Sequence, residues 1–161
     1  MRSGGLLHDC RPRRVISGQD CTPYDGDTMT RSHIETVRAY WAASDREDWE
    51  AVGQYVGRGY TWIDHSYGDE PMDHALAVAE VRAWTDSTRG IDEWFEAADG
   101  TVIVLATITR TLTGRWRGVE PSGQVVTSKV CDIFRFNDDG LIVHDEMFQD
   151  QLVRMRQLGA L

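Results

Sequence analysis

The sequence predicts an α+β domain in which helices cover one face of a curved, antiparallel sheet. Apolar residues follow helical spacing in the first half of the chain, whereas alternating strands joined by glycine-containing turns fill the second half. Helices followed by a run of strands are typical of this class. A sheet wrapped over helices leaves a cone, and its mouth is where we expect a deep ligand pocket.

The chain divides into a tail and one domain. Residues 1–28 mix proline, glycine, arginine and aspartate without any period, which predicts a disordered tail. Residues 29–161 are long enough to bury a core without disulfides or metals. Met29 directly precedes the first helical pattern, so we hypothesise that it is the true start. The intact mass of natively expressed protein would test this, since a species beginning at Met1 contradicts it.

Three helices are predicted before the main sheet. Ser and Glu three residues apart form capping-box signatures that open a first helix at Ser32 and a second at Ser44. The second helix is expected to run through Val56. A third begins at Asp73 and continues to about Thr88. A fourth, amphipathic helix closes the chain after the last strand.

Five segments carry the alternation or β-branched composition of strands, and glycine-containing turns join the later ones. The longest has apolar residues on one face and threonines on the other, as expected of a sheet with one buried side. The predicted strands are Tyr60–Asp64, Ile91–Ala97, Thr101–Trp116, Val125–Phe136 and Leu141 to about Gln149.

Composition excludes several classes of partner. The formal net charge of −9 and a pI near 4.9 argue against nucleic acid and anionic membranes. No apolar run approaches the ~20 residues of a membrane span. Cys10, Cys21 and Cys131 form neither a disulfide framework nor a zinc motif, so we expect reduced thiols in the cytoplasm. The His and Asp residues lack ligand spacing, so we expect neither a metal nor a cofactor.

Asp132 is the sharpest candidate for chemistry. In a strand of period two it shares a face with the core-like residues Val130 and Phe134. A carboxylate there must be paired, hydrated in a pocket or protonated, and a raised pKa suits a general acid or base. The structural alternative is an Asp bonded to Arg110 or to backbone amides.

The partner of Asp132 depends on the turn around Asn137–Gly140. A loop of two or four residues would turn Asp145 and Met147 toward Asp132, whereas a loop of three would present His144 and Glu146 instead. The two faces of the last strand carry equal numbers of apolar residues, so hydrophobic alternation does not decide between the two registers. A solvated, acid-rich strand is the alternative without chemistry. The candidate catalytic residues are Asp132, His144 and Glu146.

Aromatic, acidic and basic residues spread over several elements are candidates to line the pocket. Core packing is the alternative for the aromatic ones, because indole rings bury a large area whatever the function. The candidate substrate-binding residues are Trp41, Tyr55, Trp62, Asp64, Trp84, Arg110, Phe134 and Met147.

The order of several motifs resembles the SnoaL-like branch of the nuclear-transport-factor-2-like superfamily, over roughly residues 32–160. The matching segments are VRAYWAASDREDWEAVGQYV, YTWID, GVEPSG, CDIFRFNDDGLIV and FQDQLVRMRQLG. The resemblance implies a cone with a deep pocket and a homodimer formed through the sheet. It also implies activities such as aldol cyclisation of polyketides, ketosteroid isomerisation or epoxide hydrolysis.

The carry-over of family residues is partial. Cyclases of this branch use a His in the penultimate strand, where this chain has Asp132, and an Asp in the last strand, where it has Met147. The epoxide hydrolases have an Asp at the place of Asp132 and an Arg two residues earlier, where this chain has Val130.

We therefore expect a pocket for a hydrophobic, oxygenated small molecule, in polyketide or other secondary metabolism. The expected chemistry is acid–base cyclisation, isomerisation or dehydration of a carbonyl compound. A non-catalytic ligand-binding or dimerisation module of the same fold is the alternative, and Met147 favours it because methionine cannot transfer a proton.

Overall fold

The computed structural model describes residues 32–66 and 68–161. The predicted tail and the proposed start at Met29 lie outside these residues. In chain order the elements are α1 (His33–Asp45), α2 (Trp49–Gly53), β1 (Val56–Asp64), α3 (His74–Val81), β2 (Trp84–Glu96), β3 (Val102–Leu112), β4 (Val125–Phe136), β5 (Ile142–Gln149) and α4 (Gln151–Gln157).

The five strands form one sheet in the order β1-β5-β4-β3-β2. Strands β2 to β5 pair antiparallel with their neighbours in sequence, and β1 joins the edge of the sheet parallel to β5. The helices and this sheet confirm the predicted α+β class.

Side-chain caps define where the helices begin. Ser32 and Glu35 form the predicted capping box at the start of α1, and Asp73 caps α3 by accepting a hydrogen bond from the amide of Leu76. The predicted cap at Ser44 is wrong, because α1 continues through it and Asp48 caps α2 instead.

Two predicted helix ends are wrong because tertiary pairing converts them to strand. Helix α2 ends at Gly53, and Val56, predicted as the last residue of that helix, begins β1 opposite Ile142 of β5. Residues 84–88 belong to β2, whose Trp84 lies opposite Leu112 in β3. Neither segment alternates clearly in sequence, so its strand conformation depends on the neighbouring strand.

The inner face of the sheet is the side that α1 and α3 cover. Alternate residues of β3 from Val102 to Leu112 are buried on this face, as predicted. Those from Val102 to Ile108 share a core cluster with Val37 and Trp41 of α1. A second core cluster around Trp84, Trp116 and Leu158 lies where α4 meets the sheet. Helix α4 contacts the start of β4, where the side chain of Gln157 hydrogen-bonds the backbone of Thr127.

Across residues 32–66 and 68–161, none of the helices has both the length and the apolar composition needed to cross a membrane.

Candidate active site

A small cavity of about 50 Å³ lies between the inner face and the helices α1, α2 and α3. Two carboxyl groups, two guanidinium groups and an aromatic wall surround it, which is the mixture of apolar and convergent polar groups expected of a ligand site. Its lining residues are Tyr40, Trp41, Ser44, Trp49, Val52, Trp62, His74, Ala77, Val78, Val81, Arg89, Ile108, Arg110, Asp132, Asp145 and Met147.

Asp132 and Asp145 project into the cavity from adjacent antiparallel strands. Asp132 lies opposite Met147, and Asp145 lies opposite Phe134, so the two carboxyl groups are diagonal neighbours on one face. Asp132 is 3% exposed and Asp145 is 5% exposed. One oxygen of each, Oδ1, is buried and accepts no hydrogen bond from the described residues.

Burial shifts both carboxyl groups toward their neutral forms. Burial raises the pKa of Asp132 from 3.8 to about 7, the charge of Asp64 adds to this effect, and Arg89 and Arg110 oppose it. Burial also raises the pKa of Asp145 well above 3.8, and the charge of Asp132 adds to it. Two close carboxyl groups cannot easily both ionise, so the pair holds at least one proton near neutral pH.

Two tyrosines extend this carboxyl pair. The hydroxyl groups of Tyr40 and Tyr60 lie 3.2 Å apart and share a hydrogen bond, and Tyr60 donates a hydrogen bond of 3.5 Å to Oδ2 of Asp145. Burial raises the pKa of both tyrosines above 10. Both hydroxyl groups therefore stay protonated at neutral pH and serve as hydrogen-bond donors.

Arg89 brings a positive charge to the same cavity from β2. Its guanidinium forms an ion pair with Asp45 at the end of α1 and lies 5.2 Å from the ring of Trp41. Burial lowers the pKa of Arg89, but a guanidinium remains charged in proteins. Arg89 therefore offsets part of the negative charge that Asp132 and Asp145 develop on ionisation.

The structure brings together five of the predicted site residues: Trp41, Trp62, Arg110, Asp132 and Met147 all line the cavity. Phe134 lies behind it in the core and packs edge-on against Tyr40 and Trp41.

Besides Phe134, three predicted substrate-binding residues do not line the cavity. Trp84 lies in the second core cluster, and the guanidinium groups of Arg110 and Arg154 lie 4.4 and 5.0 Å from the centre of its ring. Tyr55 lies between α2 and β1, outside the cavity wall. Asp64, at the end of β1, is buried and accepts hydrogen bonds from Ser66 and Gln149, so it influences Asp132 only through its charge.

Of the two registers that the sequence left open, the structure has the one that turns Asp145 and Met147 toward Asp132. The proposed catalytic partners His144 and Glu146 are therefore wrong. Both residues are directed to the outer face, where His144 hydrogen-bonds Thr61 at 2.7 Å and Glu146 at 2.6 Å. Arg135 also donates to Glu146 at 3.0 Å. The hydrogen bonds from His144 and Arg135 lower the pKa of Glu146, the opposite of what an acid catalyst near neutral pH requires.

Sequence reasoning missed Arg89 and the role of Tyr60. Tyr60 lies two residues before Trp62 in a predicted strand, so the period of two places both side chains on the same face. Arg89 lies in a polar segment without strand alternation, between a predicted helix and a predicted strand, and the sequence carries no signal for its position.

No three His, Cys, Asp or Glu side chains are grouped as metal ligands in the described part of the chain.

Comparisons with solved structures show that the fold is shared at low identity. A protein from Jannaschia sp. CCS1, classed as a SnoaL-like polyketide cyclase, superposes with a TM-score of 0.70 at 23% identity, covering 89% of this chain and 99% of its own. AclR from Streptomyces galilaeus gives a TM-score of 0.67 at 22% identity, over 80% of this chain and 85% of its own.

A third structure, from Catenulispora acidiphila, has a ketosteroid isomerase-like fold and is a complex with trimethylamine. It gives a TM-score of 0.64 at 17% identity, over 79% of this chain and 94% of its own. No curated protein sequence matches the chain.

The family model described as SnoaL-like polyketide cyclase matches residues 34–158, which include every element from α1 to α4. The match covers most of the sequence, and the chain therefore belongs to the SnoaL-like polyketide cyclase family.

Proposed function

We propose that this protein catalyses cofactor-independent acid–base chemistry on a carbonyl compound, as a cyclisation, isomerisation or dehydration. The observation that carries the proposal is the pair of buried carboxyl groups, Asp132 and Asp145, on neighbouring strands of one cavity. The pKa of about 7 for Asp132 suits proton transfer near neutral pH, because an efficient base has a pKa close to the working pH. The raised pKa of Asp145 favours its protonated form, which can donate a hydrogen bond.

In this mechanism Asp132 is the base. Its carboxylate takes a proton from the carbon next to the carbonyl, the C–H bond breaks, and the electron pair moves onto the carbonyl oxygen. Asp145, which stays protonated, donates a hydrogen bond to that developing oxyanion, and Tyr60 is hydrogen-bonded to Asp145. In a cyclisation the carbon nucleophile then attacks a second carbonyl, whose electron pair moves onto its oxygen, and Asp132 returns the proton to that oxygen. In an isomerisation Asp132 returns the proton to another carbon of the enolate system.

The aromatic wall supports a hydrophobic substrate of the polyketide type. Trp41, Trp62 and Met147 present apolar surface beside the carboxyl pair. Apolar walls also exclude water, which strengthens the electrostatic interactions at the reacting atoms.

A second candidate function, ligand binding without turnover, is favoured by Met147. This residue lies directly opposite Asp132, at the position where cyclases of this family carry an Asp. Methionine cannot transfer a proton, so the acid that the family uses at this position is missing. In a protein that only binds its ligand, Asp145 would serve as a buried hydrogen-bonding group.

Exchange of carbon-bound protons for solvent deuterium separates the two candidates. Benzoylpropionate and its methyl ester each carry exchangeable protons next to an aryl ketone, and proton NMR in D₂O follows their loss. We expect catalysed exchange by the wild-type protein and at least about a hundredfold loss in Asp132→Asn, since general acid–base catalysis contributes about that much or more. Glu146→Gln, on the outer face of β5, is the matched control and should exchange at the wild-type rate.

Exchange that survives in Asp132→Asn would contradict the acid–base proposal. Binding of the probes without exchange in any variant would favour the ligand-binding function.

The homodimer that the family resemblance implies is also a proposal. It is supported by neighbouring apolar rows on the outer face, where Phe95 lies beside Ile103 and Phe148 beside Cys131. Phe95 is 48% exposed and Phe148 is 42% exposed in the single chain. Sedimentation equilibrium would test it, and a monomeric mass at micromolar concentration would contradict it.

A further inference from the structure

The guanidinium of Arg89 bridges the two walls of the cavity. Arg89 leaves β2 opposite Ile108, on the inner face, and its Nη1 donates to Oδ1 of Asp45 at the end of α1. Its side chain is 11% exposed and that of Asp45 is 27% exposed. The ion pair therefore joins sheet to helix at the part-exposed side of the cavity.

Helix stability does not explain why Asp45 is there. Asp45 is the last residue of α1, and no basic residue occupies the last turn of this helix. A carboxylate at a helix C-terminus faces the negative end of the helix dipole, which disfavours it. The ion pair with Arg89 is the favourable interaction of Asp45, so it explains the carboxylate at this position better than helix stability does.

Arg89 has hydrogen-bonding capacity that no acceptor among residues 32–66 and 68–161 uses. Its Nε is buried and donates to no acceptor among the described residues. A guanidinium presents its donors as a planar fork that suits a carboxylate binding through both oxygens, whereas the bond to Asp45 runs through Nη1. The geometry therefore leaves the fork incompletely occupied.

The cavity is too small for an organic ligand unless one of its walls opens, and the wall closed by Arg89 and Asp45 is the candidate. The cavity of about 50 Å³ has room for only a few water molecules, whereas sites for drug-sized ligands occupy at least about 300 Å³. The walls formed by Trp41, Trp62 and Ile108 belong to the packed core. The Arg89–Asp45 pair is part-buried, so its separation is costly unless another carboxylate takes the place of Asp45 and restores the ion pair.

We propose that Asp45 occupies the place of a carboxylate on the substrate, and that Arg89 is the residue that selects carboxylate-bearing carbonyl compounds. On binding, the ligand carboxylate replaces Asp45 on Arg89, the helix end moves away from β2, and the carbonyl group is held toward Asp132 and Asp145. The reaction of this substrate rests on the proposed function, whereas the selection by Arg89 is a property of binding alone.

Binding measured by isothermal titration calorimetry tests the selection without requiring turnover. The probes are benzoylpropionate and its methyl ester, which differ in charge but share the aryl ketone. We expect the acid to bind wild-type protein about tenfold more tightly than the ester, since a hydrogen bond to a charged group contributes a factor of about 10 to 100. Asp45→Asn should bind the acid more tightly again, because the competing carboxylate is gone.

Two variants of Arg89 and one control variant keep the test specific. Arg89→Gln should bind acid and ester equally, and Arg89→Lys should recover part of the preference through its charge. Glu80→Gln is the matched control, because Glu80 forms a part-exposed ion pair of 3.1 Å with Arg117 and does not line the cavity. It should leave both affinities unchanged, and thermal unfolding of each variant verifies that it is folded.

Equal affinities of the wild-type protein for acid and ester would overturn the inference. Failure of the acid to bind Asp45→Asn more tightly than the wild type would do so as well. These outcomes differ from a failure of the proposed function, which is read from deuterium exchange in Asp132→Asn.

Discussion

Replacing Asp132 with asparagine is expected to stabilise the folded protein at neutral pH while removing the proposed activity. Asp132 is 3% exposed, and its Oδ1 accepts no hydrogen bond from the described residues. Burial is the largest contribution to its raised pKa. An ionised carboxylate at this position is therefore less stable in the folded protein than in water, and a neutral amide avoids that penalty.

The magnitude follows from the two pKa values. Each pKa unit corresponds to about 1.4 kcal/mol, so a folded pKa of about 7 against 3.8 amounts to about 4 kcal/mol. Because the folded state holds its proton more tightly, the folded state is favoured at low pH. The free energy of unfolding then falls as pH rises from 3.8 to about 7, and the penalty is constant above that.

Urea unfolding of the wild type and Asp132→Asn at several pH values between 4 and 8 measures this difference. We expect the two proteins to be similar near pH 4, and the variant to be more stable by up to about 4 kcal/mol at pH 8. Asp92→Asn, on the outer face beside Lys129, is the control, because that carboxylate is part-exposed and paired. It should not reproduce the gain.

A wild-type protein that is as stable as Asp132→Asn at pH 8 would refute the reasoning. It would mean that the carboxylate of Asp132 is well solvated or fully paired, and the base in the proposed mechanism would lose its physical support. A gain in stability accompanied by undiminished deuterium exchange would retain the burial argument but remove Asp132 from the reaction.

Three other outcomes follow from the structure. The exchange rate should rise with pH through about 7, as Asp132 loses its proton, and fall at higher pH as Asp145 ionises; a flat profile would contradict both roles. Phe134→Ala should lower the free energy of unfolding by about 3–5 kcal/mol because the ring is 0% exposed in the core, and a loss below about 1 kcal/mol in urea would contradict this packing. Gly100→Ala should cost more than about 1 kcal/mol, because Gly100 has φ +80° and a Cβ would lie 2.7 Å from Cε1 of His33; an unchanged melting temperature would contradict that contact.

Local patterns in the sequence were sufficient for the caps and the central strands. Ser32 and Asp73 begin helices where their side chains predicted, and β4 spans Val125–Phe136 as its alternation indicated. The inner face of β3 also follows the predicted alternation. These features depend on residues close in sequence, whose hydrogen bonds and burial repeat with a known period.

Segments without a strong local pattern depended on their partners. Residues 84–88 were predicted as helix, yet they are strand because β3 offers them hydrogen bonds. This pairing also brings Arg89 to the inner face and to Asp45. Sequence alone does not predict a contact of that kind, because the two residues belong to elements whose relative position is decided by tertiary packing.

The sequence by itself determined an α+β fold with Asp132 on the buried face of a central strand. Only the tertiary structure decided which carboxylate of β5 lies beside Asp132. Five residues, 137–141, separate β4 from β5, and uninterrupted pairing from Phe136–Ile142 would have placed Glu146 opposite Asp132. Instead the register shifts by one residue at Val143, which brings Met147 opposite Asp132 and Asp145 onto the inner face. The apolar residues of β5 balance between its faces, so only the pairing of the two strands decides which carboxylate joins Asp132.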